Sequence, residues 1–334
     1  MKNSKTIFAF AVLAALASCS NEHVISQADE VATPIRIQAN VGAVATKAAT
    51  TVQNTQFDNG EKVNVYIFEN TGDVPEITYK YGVNGDGLVE YTVNNQGEVN
   101  TKLTTTTPQY YPANGHGIDV FGVYPATVKK SETEQVFSVQ ADQSTEGNYK
   151  KSDLMAAYGV RNHTKNNDDV VLNFQHNLSK IIVKLKGGKG FKESLDNATV
   201  KIIGTVRGCK ITIAPDNLGV VEIRDIIREN GPQPITVGTW VSGDTDNGIA
   251  AIVVPQTVSP NADLFEVKLD GGPTYKYKIP EGNRDVQFDS GKVYTYTLTL
   301  TTAEIEVSSY EITDWIPAPD VAGDAILEYQ NSNN

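Results

Sequence analysis

The residues with chemistry to offer are a cysteine behind an apolar leader, two basic residues beside one short alternating stretch, and scattered histidines and carboxylates. Cys19 follows Leu16-Ala17-Ser18. Met1-Lys2-Asn3-Ser4-Lys5 is a basic head, and Ile7 to Ala17 is an apolar body too short to span a bilayer as a mature helix. Residues 1–18 therefore read as a secretory signal. Small residues directly ahead of Cys19 fit a peptidase that cuts before a cysteine already carrying diacylglycerol. Cys19 would then be a triacylated N-terminus, palmitate among its chains, and that is far more anchor than a single acyl chain supplies.

The second chemistry is a cut. Lys47 sits in Thr46-Lys47-Ala48 among small residues, as an exposed loop would have it, and exposed loops are where proteases cut. Arg36 also suits a trypsin-like protease, but it falls within a predicted strand and is the second choice. Other candidates lack partners. His176 has no neighbouring ligand, because His23, His116 and His163 are scattered, so no metal is expected. Cys209 has no cysteine to pair with once Cys19 is lipidated, and as a nucleophile it would need a base, so it reads as a half-buried strand thiol. Asn84-Gly85-Asp86-Gly87 and Asp244-Thr245-Asp246-Asn247-Gly248 miss the spacing and the late Glu of a calcium loop. Trp240 and Trp315 read as packing residues rather than sugar platforms. No Ser/His/Asp or nucleophile-elbow pattern occurs. A carboxylate pair for glycoside hydrolysis stays open, since its separation is a property of space. No enzyme activity and no cofactor are expected.

Charge narrows the partners. The chain has 28 basic and 40 acidic residues, a net of −12. Losing Lys2 and Lys5 with the leader leaves 26 against 40, a net of −14. That opposes nucleic acid, whose phosphates need clustered Lys and Arg, and suits a self-repelling surface protein.

The elements that must position these residues are strands. Thr, Val, Tyr, Gly and Asn abound, and long amphipathic helical patterns are missing. Residues 19–33 form a polar tether. Ile35, Ile37, Ala39 and Val41 alternate with Arg36, Gln38 and Asn40, a short strand. Further strands are predicted at 63–68, 77–81, 89–93, 118–124 and 170–185. In the second half they fall at 198–203, 209–213, 219–223, 250–254, 264–269, 275–279, 292–301 and 305–315. In 292–301, Tyr294, Tyr296, Leu298 and Leu300 share the inward face. Pro317 and Pro319 break the pattern, and Val321, Gly323, Ala325, Leu327 and Tyr329 then alternate again. The fold class is all-β, two β-sandwich domains in tandem at 34–188 and 189–334, split near the Gly/Lys cluster 186–190.

Several segments together resemble the fimbrillin family, the lipoprotein-derived type V pilins. They are Tyr110-Tyr111-Pro112 with 120–125, Asp153-Leu154-Met155-Ala156, and Phe174-Gln175-His176-Asn177-Leu178-Ser179-Lys180-Ile181. Ile252-Val253-Val254-Pro255-Gln256, 290–296 and Ile312-Thr313-Asp314-Trp315 follow in order. The resemblance implies transthyretin-like, Greek-key sandwiches and a structural subunit of a surface fimbrium serving adhesion. It implies an outer membrane lipoprotein precursor cut by a trypsin-like maturation protease near its first strand. Loss of the strand Ile35, Ile37, Ala39, Val41 would open an apolar groove, and a strand from another copy or a related subunit would fill it. Val321 to Tyr329, within 320–330, is the donor candidate, which suits a stalk subunit. The alternative is a fimbrial anchor, or a surface lipoprotein that does not polymerise and binds a glycan or host protein.

Overall fold

In the computed structural model, residues 32–41, 57–72, 86–94, 101–213, 219–241 and 248–315 are described. Contacts separate Met1–Ala32 from Thr33–Asn334, and the described elements lie in the second unit. The fold is all-β, with a single helix among the described residues. No helix among them is long and apolar enough to cross a membrane.

The first strands are β1 (Ile37–Val41), β2 (Lys62–Asn70), β3 (Leu88–Asn94), β4 (Thr101–Thr104), β5 (Gly117–Tyr124) and β6 (Ser131–Ser138). The short helix α1 (Glu146–Lys151) precedes β7 (Met155–His163) and β8 (Val170–His176). Seven of these strands close into a barrel in the order β1-β4-β3-β2-β5-β7-β8, and β8 returns to pair with β1. The register follows from period-two alternation, because only one register puts all the apolar side chains inside. In β8, Val170, Leu172, Phe174 and His176 are buried while the residues between them face out. β2 is buried on both faces, which is why it reads as a nearly continuous apolar run. Val63, Val65 and Ile67 fill the barrel, while Tyr66 and Phe68 pack into a second core. Room inside is tight: a Cβ on Gly122 would meet the Phe174 ring at 2.4 Å.

The remaining strands are β9 (Ser179–Gly187), β10 (Thr199–Ile202), β11 (Gly208–Ile213), β12 (Val221–Ile226), β13 (Ile235–Thr239) and β14 (Ile249–Val253). They continue with β15 (Gln256–Val258), β16 (Asp263–Lys268), β17 (Thr274–Lys278), β18 (Val286–Phe288), β19 (Lys292–Leu300) and β20 (Ile305–Asp314). Two four-stranded sheets, β13-β10-β16-β17 and β14-β9-β19-β20, enclose the second core, flanked by β12-β11-β6 and β15-β18. The predicted run 170–185 is two strands here, and β9 pairs with β14 and β19, not with the barrel. Tyr294, Tyr296, Leu298 and Leu300 of β19 point inward as the alternation requires.

Candidate functional site: the first strand and its slot

β1 lies in a slot between β4 and β8. It runs antiparallel to β4, with Ile37 opposite Leu103 and Ala39 opposite Thr101. It runs parallel to β8, from Ile37 opposite Val170 to Val41 opposite Phe174. The pairing extends upstream: the Ile35 N–H donates to the Gln109 carbonyl at 2.8 Å, and the Tyr111 N–H donates to the Thr33 carbonyl at 3.0 Å. The Val170 N–H donates to the Arg36 carbonyl at 2.9 Å. With ladders on both sides, the backbone polar groups of this segment are satisfied by the two walls of the slot.

The side chains follow the same two-sided logic. Ile35, Ile37, Ala39 and Val41 are 7%, 3%, 0% and 2% exposed, so the four alternating positions are core residues of the barrel. They join a cluster with Phe57, Val65, Ile67, Leu103 and Phe174. Phe57 fixes that interior, its ring edge-on to Phe174 with centroids 5.0 Å apart. On the outer face one carboxylate holds two residues of the segment. Arg36 Nε donates to Asp169 Oδ1 at 2.6 Å, and Gln38 Nε2 donates to Asp169 Oδ2 at 2.9 Å. Asn40 Nδ2 donates to Asn173 Oδ1 at 3.3 Å. The Arg36 side chain is 73% exposed, so water screens that ion pair and the apolar face carries most of the binding.

The structure therefore brings Ile35, Arg36, Ile37, Ala39 and Val41 together in one slot. Cys19, Lys47 and the segment with Val321, Gly323, Ala325, Leu327 and Tyr329 lie outside the described residues. Asp169 carries no signal of this role in the sequence, where it stands just ahead of β8.

A second polar cluster is buried at the far end of β8. His176 Nδ1 lies 2.8 Å from Asp153 Oδ1, and its ring stacks flat on Trp315, centroids 3.9 Å apart at 6°. Lys180 Nζ sits over the same indole at 5.7 Å and over the Tyr149 ring at 5.9 Å. Burial pulls the Lys180 ammonium down to about 8, with the Asp153 charge opposing that shift. Trp315 directly follows β20, and its backbone N–H donates to the Gly291 carbonyl at 2.8 Å. Trp240 is a core residue at 1% exposure. Burial pushes the Cys209 thiol up to about 12, which removes it as a nucleophile. Among the described residues no three His, Cys, Asp or Glu side chains gather as metal ligands.

The chain is similar to known proteins in sequence and in fold. A curated relative from Bacteroides uniformis, named as fimbrium subunit Fim1C, is 27% identical over 271 residues, 78% of this chain and 84% of that one. Two crystal structures of proteins named as cell adhesion proteins share the fold. The one from Bacteroides uniformis superposes with a TM-score of 0.59 at 21% identity, covering 84% of this chain and 98% of that one. The one from Bacteroides ovatus gives 0.61 at 19%, covering 85% and 98%. The fimbrillin-like family model matches residues 46–315, most of the chain, and the chain belongs to that family.

Proposed function

We propose that this chain is a fimbrial stalk subunit that matures by losing β1 and assembles by accepting a strand from another subunit. It is exported as an outer membrane lipoprotein through Cys19 and reaches the cell surface. A trypsin-like protease cuts after Lys47. β1 then leaves, and the slot between β4 and β8 takes the alternating segment Val321 to Tyr329 of a neighbour. The observation that carries this reading is the slot itself: one short strand, the first described element, closes the barrel with four buried side chains. An emptied slot is a row of unpaired backbone groups above an apolar trough, which templates another strand. Backbone bonds would give affinity and the alternate side chains specificity.

The test is limited trypsin digestion of the full chain, N-terminal sequencing, and gels in SDS without boiling. A single cut after Lys47 and a ladder that grows over hours support strand exchange, and deleting residues 321–334 should abolish the ladder. Resistance at Lys47, or a clean cut without a ladder, refutes it in favour of a basal anchor or a surface binder that does not polymerise.

A further inference from the structure

The open side of the second core carries a cleft that the strand-exchange reading does not use. β20 pairs with β19 so that Tyr310 faces Tyr296, Ile312 faces Tyr294, Val307 faces Leu298 and Ile305 faces Leu300. Opposite residues on paired strands share a sheet face. These four β20 side chains are therefore on the inward face, the one that Tyr294, Tyr296, Leu298 and Leu300 bury. Inward placement should cover them, yet Tyr310 is 45% and Ile312 52% exposed. The reason is that β17 and β20, edge strands of the two facing sheets, leave a cleft of about 860 Å³ between them. That size lies in the range of roughly 300–1,000 Å³ that takes a small ligand.

The floor is a chain of locked aromatic rings. The Tyr310 ring centroid is 4.7 Å from Tyr296 and 6.3 Å from Tyr294. Tyr296 is 4.9 Å from Phe265, itself 6.2 Å from Tyr277. Tyr310 is thus a ring held from behind with part of its surface open. Around it the wall supplies hydrogen-bonding groups from Asn283, Asp285, Gln287 and Asp289. Two of these are already oriented, Gln287 Nε2 donating to Asp289 Oδ1 at 2.7 Å.

A flat ring beside amides and carboxylates suits a ligand with one C–H face and a fringe of hydroxyls. We propose that the cleft binds neutral pyranose units of a glycan, with Tyr310 as the stacking face. The alternative occupant, an added β-strand, meets charge at both edges: Lys276 and Lys278 on β17, and Glu306 and Glu311 on β20. Charges on an edge strand oppose further pairing. A polyanionic ligand meets the net charge of −12. The site does not depend on whether β1 is lost.

The test is saturation-transfer NMR on the full chain with lactose, maltotriose, mannotriose and chitotriose at millimolar concentration. At least one sugar should bind. Tyr310→Ala should weaken it about tenfold, the loss of one aromatic stacking contact, whereas Tyr310→Phe should stay within about threefold. Circular dichroism checks folding, and if Tyr310→Ala is unfolded, Ile312→Glu at the exposed rim should weaken binding in its place. No transfer to any of the four sugars overturns the proposal, as does binding that Tyr310→Ala, or Ile312→Glu in its place, leaves intact. Binding of a synthetic peptide of residues 319–331 that Tyr310→Ala abolishes, without sugar binding, overturns it in favour of a strand.

Discussion

Replacing Ile37 with alanine isolates what the apolar face of β1 contributes. Ile37 is 3% exposed, sits mid-slot, and is opposite Leu103 on one wall and Val170 on the other. Truncating a buried isoleucine to alanine costs about 2–5 kcal/mol, the lost transfer energy plus the cavity left behind. Full burial of Ile35, Ile37 and Val41 together contributes roughly 5–9 kcal/mol, at about 1.5–3 each. Ile37 alone therefore accounts for a third or more of the strand's hydrophobic hold. Urea unfolding of the intact chain should show the loss directly. After cleavage on the Lys47 side the strand is held without a covalent link, and the same 2–5 kcal/mol should speed its release about 30- to several-thousand-fold, at 1.4 kcal/mol per decade. Release can be followed by fluorescence of a dye placed on the N-terminal fragment. Gln38→Ala is the control on the outer face; it loses a hydrogen bond to Asp169, worth about 0.5–1.5 kcal/mol. An Ile37→Ala change below about 0.5 kcal/mol, or a release rate equal to that of the Gln38 variant, refutes the reasoning that burial holds this strand.

Lys180→Met should stabilise the chain near neutral pH. The ammonium is buried and its folded value is about 8 against an ordinary 10.5, so above pH 8 the unfolded chain binds the extra proton and stability rises toward pH 10. Removing the group should relieve a penalty on the order of 3 kcal/mol at pH 7 and flatten that rise, both read from thermal melts across pH. Gly122→Ala should destabilise by about 1–3 kcal/mol, because the new methyl would stand 2.4 Å from the Phe174 ring in a filled barrel; a melt within error of the native chain would contradict that packing.

Local pattern carried much of this. Ile35, Ile37, Ala39 and Val41 announce β1 because a strand buried on one face must alternate, and the same rule placed the inward face of β19. It failed where burial does not alternate or local sequence has no say. Ser131–Ser138 does not read as a strand, because polar residues dominate it, and in the fold its Val136 is 67% exposed. Yet β6 pairs with β11 of the second half. The run 170–185 hides a handover: Asn177 and Leu178 separate β8, which serves the barrel, from β9, which runs parallel to β19. Partner choice between strands a hundred residues apart depends on which faces remain uncovered late in folding, and periodicity does not encode it. The slot was legible as a strand but not as a closure, because Asp169 and the β8 wall lie more than 130 residues from Arg36.

The parallel pairing of β1 with β8 also sets a clock. Ile37 meets Val170 only after the intervening chain exists, and closing a loop of that length costs about 4 kcal/mol of entropy before any contact repays it. The other six barrel strands are neighbours in one sheet, β4-β3-β2-β5-β7-β8, and can assemble without β1. On the proposed strand-exchange reading, the last step of folding is a competition for a single vacancy between two edges. The resident strand would win it by tethering: joined to β2 through the chain between Val41 and Lys62, it is present at an effective concentration on the order of millimolar. A cut in that connection leaves every contact of the strand in place and removes only its local concentration, so a strand of similar affinity on another molecule competes on equal terms from that moment.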